Sequence, residues 1–286
     1  MPLEMYQAIP PLASIKSTIG IAAGKGGVGK STVTVNLALA LKGLGYRIGI
    51  MDTDLYGPSI RKMLPEDRLP SQKGEIIQPA LCNGIKMISM AYFRKETEAT
   101  AVRAPIANRL ISQFINQVAW GELDYLLIDF PPGTGDIQIT LSQKSHLTGA
   151  LLVTTPQEVA LLDVQKAMSL FNQVKVPIVG IVENMSYYVD PHSNEPVYLF
   201  GKEGGKRLAR ETGYPCLGQI PLDPLVGTCG DKGKSLFSMD SQSEKTVTQA
   251  FIQLAQLLVE QVESIQNQMN TTLSNVELVW KEMKHI

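Results

Sequence analysis

Residues 24–32 read GKGGVGKST and follow directly on a short apolar run, STIGIAA, at residues 17–23. The stretch fits the pattern G-x-x-x-x-G-K-[ST] between a predicted strand and a predicted helix, which is the context that the pattern requires. By average residue usage, the pattern arises by chance in only about one chain of this length in a hundred. The stretch therefore predicts a phosphate-binding loop (P-loop) rather than an ordinary glycine-rich turn.

Each residue type in this loop has a chemical reason to be there. Glycine lets the backbone wrap closely and point its N–H groups at phosphate oxygens, beside the positive end of the following helix. Lys30 is predicted to neutralise the β- and γ-phosphates, Ser31 to bind Mg²⁺ through its hydroxyl, and Thr32 to contact the α-phosphate. The other loop residues in the predicted ATP site are Gly24, Lys25, Gly26, Gly27, Val28 and Gly29.

Acidic residues follow two other apolar runs. Asp129 lies in LLIDF, at the carboxyl end of a predicted strand, where it suits an acid that holds Mg²⁺ through water. The mobile loop PPGTGD at 131–136 comes next and is placed to sense the γ-phosphate through the Gly133 N–H. Asp52 and Asp54 end another run, and predict one acid that acts on metal-bound waters and one that orients the attacking water. The alternative is that one or both cap a turn.

Short apolar runs alternate with helical patterns along the chain. Several runs are apolar on successive residues, as in strands that are covered on both faces. The alternation predicts a single-domain α/β fold, a P-loop NTPase with a mostly parallel sheet covered by helices on both faces. The predicted strands lie at 17–23, 46–52, 84–90, 123–130, 149–155, 176–184 and 215–221. The predicted helices lie at 30–44, 105–118, 136–146, 158–173, 203–212 and about 243–267.

One domain is predicted at residues 17–268, between two short flanking segments. Residues 1–16 form an N-terminal extension, because Pro10-Pro11 blocks regular structure before the first strand. Residues 269–286 form a C-terminal tail with apolar residues at helical spacing but mixed charges on its polar face. That mixture disfavours an anionic bilayer, so we expect the tail to dock on the body or to be partly disordered.

Composition narrows the functional classes. The formal net charge of −1 shows no basic excess of the kind that nucleic-acid binding favours. The chain has no signal-peptide pattern and no apolar run near the roughly 18 residues that span a bilayer. Cys82, Cys216 and Cys229 are far apart, and predict buried thiols rather than disulfides or a zinc site. We expect a cytoplasmic protein without nucleic-acid partners, transmembrane segments or membrane association.

Lys25 completes the string KGGVGKST, which together with MDTDLYGPS, DYLLIDFPPGTGD, VENMSY and IPLDP resembles the deviant Walker-A ATPases. That class includes the MinD and ParA positioning ATPases and the nitrogenase iron protein. The resemblance is strongest to the Mrp-type (ApbC-type) ATPases, proposed carriers or scaffolds of iron–sulfur clusters, and it covers about residues 16–265. It implies a homodimer that binds Mg-ATP, hydrolyses it slowly, and has a client apoprotein or another protein as its partner.

The resemblance also implies catalytic roles for individual residues. Lys25 corresponds to the signature lysine, which reaches across the dimer interface to the phosphates of the partner subunit. Asp54 corresponds to the acid that positions the hydrolytic water, and Asp52 to its neighbour in the metal shell. Lys25, Lys30 and Asp54 are thus the implied catalytic residues. The mechanism would be in-line attack of water on the γ-phosphate, with two lysines and Mg²⁺ neutralising the developing charge.

Further correspondences concern the base and the dimer. Asn184, in VENMS, corresponds to the residue that hydrogen-bonds adenine. The loop 220–224, which contains Pro221 and Asp223, corresponds to the segment that closes over the base. Arg103 falls where relatives have W-R-G-P and is either an interface or switch residue or a solvated arginine.

The chain departs from the Mrp pattern after VENMSY, where relatives carry a C-P-x-C pair. Two such cysteines from each subunit supply four thiolates, the usual ligand set of a [4Fe–4S] cluster. The aligned residues here are Asp190, Pro191, His192 and Ser193, so both thiolates are absent and no iron–sulfur ligand is expected. Asp190 and His192 are also candidates for a weak hard-metal site, although the following Asn-Glu-Pro favours a polar turn.

Three functions are compatible with these residues. The first is an ATP-dependent iron–sulfur carrier or scaffold, as the resemblance implies. The second is an ATPase switch that uses the same dimer cycle for another protein partner and holds no cluster. The third is a positioning ATPase of the MinD or ParA kind.

Overall fold

The computed structural model describes residues 14–54, 57, 59–93, 104–238 and 242–283. In this part of the chain the strands are β1 (Ile15–Ala22), β2 (Ile48–Asp52), β3 (Ser71–Lys73), β4 (Ile76–Gln78), β5 (Ala80–Cys82), β6 (Ile85–Ser89), β7 (Leu123–Asp129), β8 (Gly149–Thr154), β9 (Ile178–Glu183), β10 (Tyr188–Val189), β11 (Pro196–Val197) and β12 (Cys216–Gln219). The α-helices are α1 (Lys30–Gly43), α2 (Ile60–Met63), α3 (Ala104–Gln117), α4 (Asp136–Lys144), α5 (Glu158–Gln173), α6 (Gly204–Thr212), α7 (Pro224–Lys232) and α8 (Gln242–Met283). Arg103, residues 1–13 of the predicted extension and residues 284–286 of the predicted tail lie outside the described residues.

Eight strands form one sheet in the order β12-β9-β8-β1-β7-β2-β6-β5. Every neighbouring pair is parallel except β5 and β6, which are antiparallel. The central strands are apolar on successive residues, and all six residues of β8 are buried. This is the pattern of strands that are covered on both faces, and the predicted mostly parallel sheet is confirmed.

Helices cover both faces of the sheet and form two hydrophobic cores. On one face, α1 packs against α8, with Leu37 and Leu41 in the same cluster as Phe251. On the other face, α3 and α5 contribute Phe114 and Phe171, which are fully buried. Burying a large apolar side chain contributes about 1.5–3 kcal/mol, so these layers fix the sheet on which the site is built.

Most predicted strands and helices lie close to their expected positions. Strand β1 begins at Ile15, inside the predicted extension 1–16, and α8 continues to Met283, well beyond the predicted end at 267. The division into an extension, a domain and a tail stays a prediction. The hydrophobic pattern did not predict the short strands β3, β4, β10 and β11 of the two hairpins, or β5 at the edge of the sheet. It also did not predict α7, in which Gly227 and Gly230 lower the helical propensity.

Candidate nucleotide-binding site

The carboxyl ends of β1, β2 and β7 lie side by side and carry the residues that were predicted to bind nucleotide. Strand β7 pairs in parallel with both of its neighbours, and Asp129 lies opposite Ile21 of β1 and Asp52 of β2. Strand β1 runs into the P-loop, which leads into α1. Because ligands of open α/β sheets bind at this edge, the fold brings the P-loop and two acidic strand ends to one place.

The P-loop needs glycine at two positions for different reasons. Gly29 has a φ of 83°, and a Cβ atom there would lie 2.2 Å from Nδ2 of Asn184. Gly24 is restricted by packing, because its Cβ atom would lie 2.0 Å from the backbone carbonyl carbon of Asp163 in α5. A Cβ atom on Gly26 would meet no atom of the described residues within 4 Å. The loop is therefore held closely between α5 and Asn184, while its tip is open.

Lys30, Ser31 and Thr34 of α1 all bind the buried carboxylate of Asp129. The Lys30 ammonium lies 2.7 Å from Asp129 Oδ2, and the Ser31 hydroxyl donates to the same oxygen at 2.7 Å. The Thr34 hydroxyl donates to Oδ1 at 2.8 Å. Asp129 has no solvent exposure, so its charge is compensated entirely by the start of α1. The predicted Mg²⁺ residues, Ser31 and Asp129, are thus in direct contact.

Asp52 is buried beside Asp129 and is held by two donors. Its Oδ2 accepts a hydrogen bond from the Ser89 hydroxyl at 2.7 Å, and its Oδ1 accepts one from the Asp54 N–H at 3.1 Å. Burial, and then the negative charge of Asp129, raise the pKa of Asp52 to about 7. Asp52 therefore caps a backbone N–H, as the turn interpretation predicted, and also belongs to the acidic strand edge.

Asp54 lies at the edge of a cavity formed by the P-loop. Its Oδ1 accepts a hydrogen bond from the Gly57 N–H at 3.2 Å, so this acid also stabilises a turn. The cavity has a volume of about 230 Å³, and Pro132 of the PPGTGD loop lines it beside Gly133, which has a φ of 95°. The lining residues from the predicted site are Lys25, Gly26, Gly27, Gly29, Lys30, Ser31, Thr32 and Asp54.

A second, larger cavity of about 700 Å³ lies next to the first one, and Thr32 lines both. Asn184, Pro221 and Asp223, which were predicted to surround the base, line this cavity. Asn184 Nδ2 donates to the carbonyl of Val28 at 2.9 Å. This hydrogen bond joins the wall of the larger cavity to the P-loop. Phosphate-sized and base-sized spaces thus adjoin, with the predicted residues around each.

Asp223 has a structural task as well. Its Oδ1 accepts the Leu225 N–H at 2.8 Å and caps the start of α7, where Pro224 occupies the first turn. The segment from Ile220 to Pro224 therefore forms one wall of the larger cavity and is anchored by a helix cap. This anchoring explains why a proline-rich segment with no regular structure has a defined place.

Residues 190–195 form a hydrogen-bonded turn between β10 and β11. Asp190 Oδ1 accepts the N–H groups of His192 at 2.7 Å and Ser193 at 3.1 Å, and Asn194 N–H donates to the Asp190 carbonyl at 2.8 Å. Residues 191–195 are exposed. No group of three or more His, Cys, Asp or Glu side chains with metal-binding spacing occurs in the described part of the chain. The turn chemistry that the sequence indicated accounts for this segment.

The three cysteines lie away from this turn and form no disulfide. Cys82 and Cys229 are buried, and Cys216 is partly buried. Burial raises the pKa of the Cys82 thiol to about 12, and burial also raises the pKa of Cys216. In the described part of the chain, these thiols belong to no group of three or more possible metal ligands.

Several polar residues at the site were missed by the sequence reasoning. Thr53 donates its hydroxyl to the Asp129 carbonyl at 2.6 Å, and buried Gln138 donates to the Pro131 carbonyl at 2.6 Å, which holds the PPGTGD loop. Thr34 and Ser89 hold the two buried acids. A detectable signal was present, because each of these polar residues stands next to an apolar run or on the first turn of a helix.

A glycine-rich loop between β1 and α1, with a lysine, a hydroxyl and a strand-end aspartate in contact, defines a P-loop NTPase. Residues 14–259 match the model of the ParA family described as NUBPL iron-transfer P-loop NTPase, and the chain belongs to this family. The membership confirms the resemblance that the motifs around Lys25 indicated.

Individual relatives agree with this assignment. The chain is 42% identical over 253 residues to an iron–sulfur cluster carrier protein of Aquifex aeolicus, covering 87% of this chain and 69% of the relative. A nucleotide-binding protein from Archaeoglobus fulgidus, solved in complex with ADP and with Co, has a TM-score of 0.71 and 37% identity, covering 83% of this chain and 94% of that one. MinD from Pyrococcus horikoshii, with Mg-ADP, has a TM-score of 0.59 at 22% identity over 84% of this chain and 94% of that one, which shows the shared fold.

Within the described residues, no helix is both long enough and apolar enough to cross a bilayer.

Proposed function

We propose that this chain is a cytoplasmic, dimeric ATPase of the Mrp type, which binds Mg-ATP, hydrolyses it slowly and serves as an iron–sulfur cluster carrier or scaffold for apoproteins. The observation that carries the proposal is the contact of Lys30 and Ser31 with the buried Asp129, because Lys30 and Ser31 line the same cavity as Lys25. The name of the Aquifex aeolicus relative and the ADP bound to the Archaeoglobus fulgidus protein support it.

The donor set at the phosphate cavity fits Mg²⁺. A serine hydroxyl and a buried carboxylate are hard oxygen donors, as Mg²⁺ prefers, and they lie within 2.7 Å of each other. Ser31 would hold the ion directly and Asp129 through water. When bound, Mg²⁺ would supply positive charge against the phosphate oxygens.

The protein groups then have separable tasks in hydrolysis. The P-loop N–H groups and the Lys30 ammonium bind the β- and γ-phosphates, which requires Lys30 to exchange part of its pairing with Asp129 for phosphate. Asp54, at the rim of the cavity, orients water for in-line attack. The Gly133 N–H senses the γ-phosphate, and Gln138 holds its loop. Charge neutralisation by preorganised groups is the main catalytic effect in phosphoryl transfer.

Adenine would occupy the larger cavity. Because an Asn184 Nδ2–H donates to Val28, the amide of Asn184 has a fixed orientation, and Oδ1 is its acceptor for the exocyclic amino group of adenine. Pro221 and Asp223 would cover the base through the backbone of their segment. A base with a carbonyl in place of the amino group would present an acceptor to this oxygen, so ATP is favoured over GTP.

Variants of Lys25 test the proposed dimer, because Lys25 lines the phosphate cavity and is proposed to reach the phosphates bound by the partner subunit. Sedimentation of the wild type with and without Mg-ATP should show an ATP-dependent dimer, and phosphate release should be slow but measurable. Lys25→Ala should lose both, whereas Lys73→Ala, at an exposed position of β3, should lose neither. Unchanged dimerisation and hydrolysis in Lys25→Ala would contradict the proposed role.

A cluster-free ATP switch is the second candidate, and the turn at 190–195 favours it. Asp190 and Ser193 stand at the two positions where Mrp-type relatives have cysteine. The Asp190 carboxylate accepts hydrogen bonds from the turn backbone. Anaerobic reconstitution with iron and sulfide distinguishes the two candidates. A labile cluster bound by the wild type, and transferred to an apoprotein, supports the carrier. Active ATPase with no cluster, alongside cluster uptake by the double variant Asp190→Cys and Ser193→Cys, supports the switch.

A further inference from the structure

Glu183, the last residue of β9, has a fully buried side chain that takes no direct part in either cavity. Its Oε1 accepts hydrogen bonds from the Ser186 hydroxyl and from Gln219 Nε2, the latter at 2.8 Å. Its Oε2 accepts the Gly205 N–H. Glu183 has no ion-pair partner among the described residues. Three donors from three segments therefore hold one carboxylate, which is the arrangement that a buried acid requires.

Two of these segments are the walls of the larger cavity. Asn184 follows Glu183 directly, and Ile220 follows Gln219. The backbones on either side are also joined, because Ile220 N–H donates to the Glu183 carbonyl and Ser186 N–H donates to the Ile220 carbonyl, both at 2.9 Å. The side chain of Glu183 lies outside the cavity and holds Asn184 at a fixed distance from the segment that contains Pro221.

The third segment is the start of α6. The Gly205 N–H that donates to Glu183 is one of the N–H groups of the first helical turn, where a carboxylate is stabilised by the helix dipole. A Cβ atom on Gly205 would lie 3.0 Å from Cβ of Glu183, so glycine lets the helix end approach the acid closely. Glu183 therefore binds the two cavity walls and α6 into one unit.

We propose that Glu183 is the positioning residue for base recognition: it acts through Asn184 and the Pro221 segment, and touches neither base nor phosphate. The inference rests on the proposed function, because it assumes that the larger cavity receives the base of ATP. It assigns base selectivity to a buried network as well as to the residues that line the cavity. None of the hydrogen bonds that hold the Glu183 carboxylate comes from a P-loop residue, so we expect phosphate binding to depend on this network less than base binding does.

The test exchanges the chemistry of Glu183 and Gln219. In Glu183→Gln one of the two acceptor oxygens becomes a donor, so every buried group keeps a partner only if the Gln219 amide turns over, which changes its hydrogen bonds to residue 183 and to Ser186. We expect the KM for ATP to rise about 10- to 100-fold, with kcat at saturating ATP changed less than about three-fold. The preference for ATP over GTP should fall, whereas inhibition by inorganic tripolyphosphate should keep its wild-type strength.

Adding Gln219→Glu to Glu183→Gln restores a donor opposite an acceptor, and should return the KM to within about three-fold of the wild type. Leu258→Ala, in the α8 core, is the control for general destabilisation and should leave KM and base preference unchanged. If Glu183→Gln does not fold, Ser186→Ala removes one of the three donors and should raise the KM with kcat retained. Retention of the wild-type KM by Glu183→Gln, or by Ser186→Ala in its place, would overturn the inference.

Failure of the proposed function has a different signature. A folded wild type that binds tripolyphosphate but shows no preference between ATP and GTP would remove the base site on which the inference rests. A wild type that prefers ATP, together with a Glu183→Gln variant of equal preference, would remove the inference alone. A double variant that stays as impaired as the single one would also count against it.

Discussion

Lys30 and Asp129 form a buried ion pair in which the ammonium lies 2.7 Å from Oδ2, joining the first residue of α1 to the last residue of β7. The Lys30 side chain is 7% exposed and that of Asp129 is fully buried. The pair serves the fold as well as the chemistry, because it compensates a charge that the sheet edge would otherwise bury alone.

Replacing Lys30 should therefore destabilise the protein before any nucleotide is considered. We expect Lys30→Ala to lower the free energy of unfolding by about 3–5 kcal/mol, because it leaves the Asp129 carboxylate buried without its counter-charge. Urea denaturation without nucleotide measures it. Lys25→Ala is the matched control, and should change stability by less than about 0.5 kcal/mol, since Lys25 has no ion pair among the described residues. Equal losses in the two variants would be inconsistent with this structure.

The two glycines of the P-loop should respond differently to a methyl group. Gly24→Ala places Cβ against the backbone of Asp163, so either the loop or α5 must shift. We expect a loss of about 1–3 kcal/mol in the free energy of unfolding, as for other overpacked sites. Gly26→Ala, with open space around its Cβ, should be close to neutral in the same assay. A reversed order would show that the loop packs in another way.

Asp52 predicts a pH dependence of stability. Its pKa is raised from 3.8 to about 7, so between about pH 4 and pH 7 the folded state binds a proton that the unfolded state has released. The contribution of this group to stability therefore falls as pH rises through that window and is constant above it. Asp52→Asn removes the effect, so its stability relative to the wild type should increase from about pH 4 to about pH 7 and stay constant above pH 7. Denaturation in EDTA without nucleotide checks this, and a pH-independent difference would contradict it.

The thiols should be poorly reactive in the folded protein. Burial raises the pKa of Cys82 to about 12, so at pH 8 almost none of it is thiolate, the reactive form. Iodoacetamide at pH 8 should leave Cys82 unmodified in the native protein and modify all three cysteines in urea. Mass spectrometry of tryptic peptides reads the result. Rapid native labelling of Cys82 would mean that this thiol is accessible to metal as well.

The mostly parallel sheet and the position of the P-loop were largely predictable from the sequence. Successive apolar residues indicated strands that are buried on both faces, and the Gly-Lys-Ser spacing placed Lys30 and Ser31 at the start of a helix. The role of Asp129 could be predicted because an acid at the carboxyl end of an apolar strand lies where ligands of α/β sheets bind. Each of these signals depends on residues that are close together in the chain, so one sequence is enough to detect it.

The rest depended on contacts between distant residues. The bond from Asn184 to the Val28 carbonyl joins residues 156 positions apart, and the Glu183–Gln219 bond joins residues 36 apart. Neither pairing leaves a pattern in the sequence, because only the parallel register of the sheet brings the segments together. The short hairpin strands were missed for a related reason, since two or three residues are too few to show a period.

Calorimetric titration of the metal-free wild type with ATP, with and without Mg²⁺, tests the central claim most directly. We expect saturable binding at one ATP per chain, tightened by Mg²⁺, followed by slow phosphate release that Lys30→Ala abolishes. Heat of binding that is absent from a folded wild type, or binding and hydrolysis that Lys30→Ala retains in full, would contradict the assignment of residues 24–32 as an ATP site.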